Sequence, residues 1–237
     1  MVEAGRKLRV LVTGGSRGIG RAIALRFARE GARVAVAARS SGDLDQVVKE
    51  IEAAGGSGRA QQMNVGDHGS VEAAVWRAVE FTGGALDVLV NNAGVLAVRP
   101  FEKLDLATWR KHIEVNLDGP YYVTAESLDA LLEGTRPHIF NVSSVAGRQG
   151  YEGEVAYCTT KYGLRGFSDA LRLDLRAKGV RVSTVYPGAT DTAMLDSLPV
   201  KLDRSKVNKP EDVAEVIWRA YQAPEGQNVD DLEVPPR

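Results

Sequence analysis

Short apolar runs alternate with longer segments of helical periodicity along the chain. Six runs predict strands, and they begin at Leu8, Arg33, Arg59, Leu86, His138 and Val180. Several runs are almost continuously apolar, as expected of parallel strands covered on both faces, whereas half-exposed antiparallel strands would alternate. Helix-length segments such as 18–32, 41–56 and 70–84 lie between them. Each of these segments has a glycine among its last two residues that can take the left-handed position after a helix.

This alternation predicts an α/β fold, a Rossmann-type doubly wound parallel β-sheet with helices on both faces. In such a sheet, ligands bind at the carboxyl ends of the strands. The chain has 237 residues and is 44% hydrophobic, enough to bury a substantial core. It contains no internal repeat or linker, so residues 1–237 are predicted to form a single domain. Its last part predicts a helix and one short final strand.

Charge and cysteine content narrow the functional classes. The 30 basic and 31 acidic residues leave a net charge of -1, which gives no positive field for nucleic acid or an anionic membrane surface. No run reaches the roughly eighteen apolar residues of a membrane span, and the start has no separate apolar signal core. The only cysteine, Cys158, precludes an internal disulfide. We therefore expect a cytoplasmic protein with neither nucleic acid nor membrane as partner.

The first motif with chemical content is "TGGSRGIG" at residues 13–20, between the first strand and the first helix. Glycines at 14, 18 and 20 let the backbone turn tightly and approach a pyrophosphate, whose charge sits at the positive end of the following helix. A P-loop would need Gly-Lys-Ser/Thr, and Gly-x-Gly-x-x-Gly would need a glycine at Ile23. The motif predicts nucleotide binding of another type.

The spacing Thr-Gly-x-x-x-Gly-x-Gly resembles the cofactor loop of the short-chain dehydrogenases and reductases. The extended branch of that family would have a glycine at Arg17, so the shorter branch matches better. The similarity continues, in order, through "NNAG" at 91–94, Asn116 in "HIEVNLDG", Ser144 in "NVSSVAG", "YCTTK" from Tyr157 to Lys161, and "YPGATDT" at 186–192. Five motifs in sequence argue against chance. The resemblance implies an oxidoreductase that interconverts a small carbonyl compound and an alcohol.

The resemblance assigns a catalytic group of Asn116, Ser144, Tyr157 and Lys161. Tyr157 would be the proton donor or acceptor, and Lys161 lies one helical turn later on the same face. Lowering the phenol pKa by about three would require roughly 4 kcal/mol. A unit charge about 4 Å away contributes roughly 4 kcal/mol at an effective dielectric of about 20, so Lys161 is expected to supply much of this before desolvation is subtracted, and the positive oxidised nicotinamide the remainder. Ser144 would hold the substrate oxygen. Asn116 would support a water that links Lys161 to solvent.

The end of the second strand, "VAVAARS", bears on the choice of nicotinamide cofactor. A carboxylate there would bond the ribose 2'-hydroxyl of NAD, whereas a basic residue would pair with the 2'-phosphate of NADP. Ala38 stands where the family has its acidic residue. Arg39 follows it, Arg17 projects from the glycine loop, and Ser40 adds a hydroxyl donor. We therefore predict NADP(H), with NAD(H) as the second choice.

The resemblance places the other cofactor contacts in four segments. They are Gly14, Ser16, Gly18, Ile19 and Gly20 in the glycine loop, Asn64 and Val65, Asn92, Ala93 and Gly94, and Pro187, Gly188, Thr190 and Thr192. Tyr157 and Lys161 would also contact the cofactor. Asn64 replaces an acidic residue of the family, and its amide can still accept a hydrogen bond. Asn91 is expected to be structural.

Residues 189–208 are predicted to form a short substrate lid, and their polar character indicates a small or exposed pocket. Gln149, Tyr151 and Glu154 are candidates to line it. Two other functions stay open: a 3-oxoacyl-carrier-protein reductase-like enzyme, and a non-catalytic NADP-sensing protein. The chain end lacks the glycine-rich finish common among the former, and a sensor has no need of a proton donor.

A metal site and a cysteine nucleophile are not expected. His68, His112 and His138 show no metal-ligand spacing, and no histidine lies near Cys158 in the sequence. Segments 109–132 and 154–178 resemble the helices through which family members assemble. We therefore expect a homodimer or homotetramer.

Overall fold

The computed structural model describes residues 6–224 and 227–235. Within these residues the chain forms one seven-stranded sheet of order β3-β2-β1-β4-β5-β6-β7, and every neighbouring pair is parallel. The strands are β1 (Arg9–Thr13), β2 (Arg33–Ala38), β3 (Ser57–Gln62), β4 (Val88–Asn91), β5 (His138–Val142), β6 (Arg181–Pro187) and β7 (Asp231–Val234). The predicted fold class, a doubly wound parallel sheet in a single domain, is confirmed.

Helices cover both faces of the sheet. They are α1 (Gly18–Ala28), α2 (Ser41–Ala53), α3 (His68–Thr82), α4 (Leu106–Ile113), α5 (Gly119–Leu132), α6 (Val155–Arg176) and α7 (Pro210–Gln222). One apolar core joins the sheet to α1, α2 and α7, and the other joins it mainly to α3 and α5. Side chains along β1 alternate between these cores, with Val10 and Val12 in the first and Leu11 in the second. Burial on both faces explains why inner strands such as β1, β2 and β4 have nearly continuously apolar sequences.

The predicted boundaries hold to within a few residues. β3 starts at Ser57, two residues before the predicted start, and α3 starts at His68, where Asp67 caps the helix by accepting a bond from Ser70 N at 2.7 Å. Gly31, Gly55 and Gly83 have φ of 75°, 97° and 84°, the left-handed conformation that was predicted after the first three helices. The predictions for the two chain ends include some residues that lie outside the described ones, namely 1–5, 225–226 and 236–237.

The strand order reverses between β1 and β4, which lie side by side although two strand–helix units separate them in sequence. A crevice opens at such a point beyond the carboxyl ends of the strands. The glycine loop leaves β1 here, and "NNAG" leaves β4. Across the part of the chain that the structure describes, no helix is long and apolar enough to cross a bilayer.

Candidate active site

The loop between β1 and α1 is shaped by glycines that tolerate no side chain. Gly14 and Gly18 have φ of 63° and 54°, which favours glycine. A Cβ added to Gly20 would lie 2.3 Å from the Gly14 carbonyl oxygen, and one added to Gly14 would lie 2.8 Å from Asn92 Nδ2. The loop is therefore a close-packed turn at a helix N-terminus. This cradle fits the pyrophosphate of a dinucleotide.

Thr13 and Asn92 join the ends of β1 and β4. The Thr13 hydroxyl accepts bonds from the backbone N–H groups of Asn92 at 3.0 Å and Ala93 at 3.1 Å. Asn92 Nδ2 donates to the carbonyls of Thr13 at 2.9 Å and Gly14 at 3.2 Å. Asn91 donates to Asn141 Oδ1 at 2.9 Å and so braces β4 against β5. The two loops of the crevice are thus held as one unit.

The Tyr157 and Lys161 side chains lie on α6 and are 7% and 4% exposed. Lys161 Nζ lies 5.6 Å from the centroid of the Tyr157 ring and donates a 2.9 Å hydrogen bond to the Val142 carbonyl at the end of β5. Ser144 follows β5 two residues later, and its hydroxyl accepts a 3.1 Å bond from Ala146 N. The fold brings these three functional groups from β5 and α6 to one place beside the crevice.

Burial dominates the ionisation of this pair. It raises the pKa of Tyr157 to about 12, against an opposing hydrogen bond from Ser144. It lowers the pKa of Lys161 to about 8. The net pKa of the phenol therefore lies above its ordinary value in this structure, and the contribution of Lys161 to stabilising the phenolate stays a prediction. The Lys161 ammonium bonds the Val142 carbonyl and lies against the ring face, and withdrawal from water penalises both charged forms.

Asn116 lies in a π-helical turn, Glu114–Asp118, between α4 and α5. Its side chain accepts from Val95 N at 2.8 Å and donates to Val95 O at 2.9 Å and to Thr160 Oγ1 at 3.1 Å. A Cβ added to Gly94 would lie 3.4 Å from Asn116 Oδ1 and 3.8 Å from Lys161 Nζ. "NNAG", Asn116 and Lys161 therefore meet around one point. The water-binding role of Asn116 stays a prediction.

The candidate 2'-phosphate residues are all at the surface. Arg17, Arg39 and Ser40 are exposed, and among the described residues neither arginine has an ion-pair partner. Ser40 precedes α2 and makes no side-chain capping bond. Asn64 Oδ1 accepts from Gly66 N at 3.4 Å. Convergence of the two guanidinium groups on a phosphate stays a prediction.

The chain after β6 closes the opposite side of the crevice. Thr190, which is buried, donates to the Gly188 carbonyl at 2.9 Å, and Thr192 Cγ2 lies 3.0 Å from where a Cβ on Gly18 would be. Thr192 therefore reaches the glycine loop. Further along the predicted lid, Arg204 pairs with Asp191 at 2.6 Å and with Asp196 at 2.5 Å.

The other predicted cofactor residues fall in these same segments. Ser16 and Ile19 are half-buried in the glycine loop, Val65 is buried after β3, and Pro187 ends β6. The candidate substrate residues Gln149 and Tyr151 bond one another, Nε2 to hydroxyl, at 2.5 Å. Glu154 is half-buried one turn before Tyr157.

Two residues that sequence reasoning missed support the site. Thr13 was seen only as the start of the glycine motif, yet it joins the two loops. Arg148 lies over the Tyr186 ring, with its guanidinium carbon 4.0 Å from the centroid, and it pairs with Asp231 at 2.6 Å and with Glu233. It thereby ties the loop before α6 to β7. No local pattern indicates Arg148, because its acidic partners lie more than eighty residues away.

None of the three histidines lies in a metal-type cluster, since no group of three or more His, Cys, Asp or Glu among residues 6–224 and 227–235 is arranged to hold an ion. His138 is fully buried, which lowers its pKa well below its ordinary value, and its Nε2 lies 2.8 Å from Ser183 Oγ. His68 pairs with Glu126 at the surface.

Comparisons with known proteins agree with this architecture. A family model described as short chain dehydrogenase matches residues 8–202. The 3-oxoacyl-[acyl-carrier-protein] reductase FabG of Thermotoga maritima is 35% identical over 215 residues, which cover 87% of each chain. NADP-dependent 3-hydroxy acid dehydrogenase YdfG of Salmonella typhi is 33% identical over 96% of this chain and 94% of its own. The solved alcohol dehydrogenase of Thermococcus sibiricus complexed with 5-hydroxy-NADP superposes with a TM-score of 0.89 at 29% identity, covering 97% of this chain and 96% of that one.

Proposed function

The chain belongs to the short-chain dehydrogenase family, and from that membership we propose that it is an NADP-dependent oxidoreductase that interconverts a small carbonyl compound and its alcohol. The observation that carries the proposal is a juxtaposition. Lys161, which lies against the Tyr157 ring, also lies 3.8 Å from where a Cβ on Gly94 would be. A buried phenol and ammonium therefore adjoin the crevice that the glycine loop opens into.

The dinucleotide would be held along the crevice. The loop at 14–20 takes the pyrophosphate, because its backbone allows close approach at the N-terminus of α1. Residues 92–94, with Lys161, Thr190 and Thr192, hold the nicotinamide end. Arg17 and Arg39 select NADPH over NADH, since each presents an exposed guanidinium without an ion-pair partner among the described residues. The NADP complexes and names of the relatives support this choice.

Proton transfer is assigned to the side chains of α6 and β5. Bound NADPH supplies a hydride to the carbonyl carbon. The Ser144 hydroxyl donates a hydrogen bond to the substrate oxygen and polarises it. Tyr157 is protonated at neutral pH, because its pKa is about 12, and it gives its proton to that oxygen to complete the alcohol. Lys161 then stabilises the phenolate by charge until solvent returns the proton. In oxidation the same groups act in reverse.

A substrate panel tests the proposal. Purified protein is mixed with NADPH or NADH and a series of small ketones, aldehydes and 3-oxo acids, and loss of the reduced nicotinamide is followed by absorbance. We expect substrate-dependent loss with NADPH and about a hundredfold slower loss with NADH, as for two missing charge-assisted contacts worth about tenfold each. Binding of NADPH without turnover of any carbonyl would instead indicate the NADP-sensing alternative.

A second candidate function is 3-oxoacyl-carrier-protein reduction. It is favoured by relatives at 35% identity that carry this name. A 3-oxoacyl thioester in the same assay separates the two. A kcat/KM that rises strongly when the thioester is attached to carrier protein supports it, and equal rates with the free small ketone favour the general reductase.

We also propose that the protein forms a homodimer or homotetramer through α5 and α6. Large apolar side chains are exposed on these two helices: Tyr121, Leu132, Tyr162 and Leu173. Light scattering after size-exclusion chromatography measures the assembly directly. A monomer at micromolar concentration would contradict the proposal.

A further inference from the structure

His112 lies near the end of α4, one turn before Asn116, and is 2% exposed. Its ring makes two hydrogen bonds. Nδ1 lies 2.8 Å from the Thr108 carbonyl oxygen on its own helix, and Nε2 lies 3.1 Å from the backbone nitrogen of Ala97. No metal role was expected of this residue, and both of its hydrogen bonds are to backbone groups.

These two partners determine the protonation state of the ring. A carbonyl oxygen only accepts, so Nδ1 must carry the hydrogen and donate to Thr108. A backbone N–H only donates, so Nε2 must be bare and accept from Ala97. The His112 ring is therefore neutral and has its proton on Nδ1. Both ring nitrogens are in use, and the ring has no further group to offer.

Ala97 lies in the irregular segment 95–99, which connects the two sides of the site. Leu96 packs against a buried cluster that contains Tyr157 and Cys158. At the far end, Arg99 N donates a 2.8 Å bond to the carbonyl of Gly153, just before α6. At the near end, Asn116 holds Val95 by both backbone groups. His112 binds the centre of this segment, between these two attachments.

We propose that His112 is a positioning residue, whose Nε2 holds Ala97 so that Leu96 forms the wall of the substrate pocket beside Tyr157. It acts through the backbone of segment 95–99 and touches neither substrate nor cofactor. The kinetic part of this inference rests on the proposed function, whereas the protonation state of the ring does not.

The first test measures the tautomer in the unmodified protein. Long-range proton–nitrogen correlation spectra of the protein labelled at histidine distinguish Nδ1–H from Nε2–H rings. We expect His112 to show the Nδ1–H form, which is the minor tautomer of free histidine. An Nε2–H ring or a doubly protonated ring at neutral pH would overturn the inference, whatever the enzyme turns over.

The second test compares three variants with NADPH and the best carbonyl of the substrate panel. His112→Phe keeps a ring of similar size without an acceptor, and we expect its KM for the carbonyl to rise about fivefold to tenfold, the equivalent of one lost hydrogen bond. His112→Gln places an acceptor the same number of bonds from Cβ as Nε2, and its KM should return to within about twofold of the parent value. His68→Gln changes an exposed histidine and should have no effect.

The dissociation constant for NADPH separates positioning from general damage. It should stay within about twofold in all variants, because Asn92 and Ala93 are held by Thr13 and not by His112. An unchanged carbonyl KM in His112→Phe, or a folded His112→Gln that behaves like His112→Phe, would overturn the role of Nε2. Absence of turnover in the parent protein would count against the proposed function alone, since the tautomer is read without substrate.

Discussion

Replacing Lys161 by methionine should stabilise the protein at neutral pH while it removes activity. The ammonium is buried, and its pKa in the folded chain is about 8 against an ordinary value of 10.5, because burial disfavours the charged form. Between these two pH values the unfolded chain binds more protons than the folded chain. The free energy of unfolding therefore rises with pH across this window as far as Lys161 contributes.

The magnitude follows from the shift. One pKa unit corresponds to about 1.4 kcal/mol. Between about pH 7 and about pH 10, the free energy of unfolding of the parent protein should therefore rise by roughly 2 to 3 kcal/mol relative to that of Lys161→Met. The hydrogen bond to Val142 is lost in the variant, which offsets the stabilisation at neutral pH by roughly 1 kcal/mol. The variant should thus be more stable at about pH 7 and lose that advantage as the pH rises.

Urea unfolding at a series of pH values, followed by tryptophan fluorescence at one protein concentration, measures the effect. Lys178→Met is the matched control, because Lys178 is exposed. Its free energy of unfolding plotted against pH should run parallel to that of the parent protein. If the Lys161→Met curve also ran parallel to that of the parent protein over this pH range, the buried ammonium would not have the lowered pKa, and the reasoning would be refuted.

Three further outcomes are expected. Arg17→Ala and Arg39→Ala should each lower the ratio of kcat/KM for NADPH over NADH about tenfold, read from steady-state rates with both cofactors; a change shared equally by both cofactors would argue against phosphate recognition. Gly20→Ala should lower the melting temperature by several degrees and weaken NADPH binding, since its Cβ would meet the Gly14 carbonyl oxygen at 2.3 Å. Asp87→Asn should lower the free energy of unfolding by roughly 3 kcal/mol near neutral pH, measured by chemical denaturation. Burial alone would raise the pKa of Asp87, but the hydrogen bonds from Arg9 and Thr135 N outweigh it and hold that pKa below its ordinary value. The carboxylate therefore stabilises the fold at neutral pH and loses this effect below about pH 4, where the unfolding free energies of parent and variant should converge.

The sheet could be predicted because its five inner strands are buried on both faces. A strand such as β2 reads "RVAVAA", and only the first residue is exposed, so the apolar run and the strand coincide. The motifs were predictable for a related reason. The glycine loop needs glycine at positions 14, 18 and 20 because of the backbone conformation and close contacts of one short turn. Such a requirement is visible as a pattern of neighbouring residues in the sequence.

Features that depend on contacts between residues far apart in the sequence show no local pattern and could not be predicted from it. The π-helical turn at Asn116 is completed by Val95 and Thr160, and the anchor of Arg148 depends on β7. The offset of Tyr157 and Lys161 predicted their common face but not the direction of the ammonium, which the Val142 carbonyl on β5 decides. Because burial sets both pKa values, the ionisation of the pair follows from the packed structure and not from spacing alone.

The most direct test of the central claim is the turnover of Tyr157→Phe with NADPH and the best carbonyl of the panel. The substitution keeps the packed ring and deletes only the hydroxyl that is proposed to transfer the proton. We expect kcat to fall at least about a hundredfold, as for loss of a general acid, with NADPH binding unchanged within about threefold. Turnover equal to that of the parent protein would contradict the assignment of Tyr157 as the proton donor.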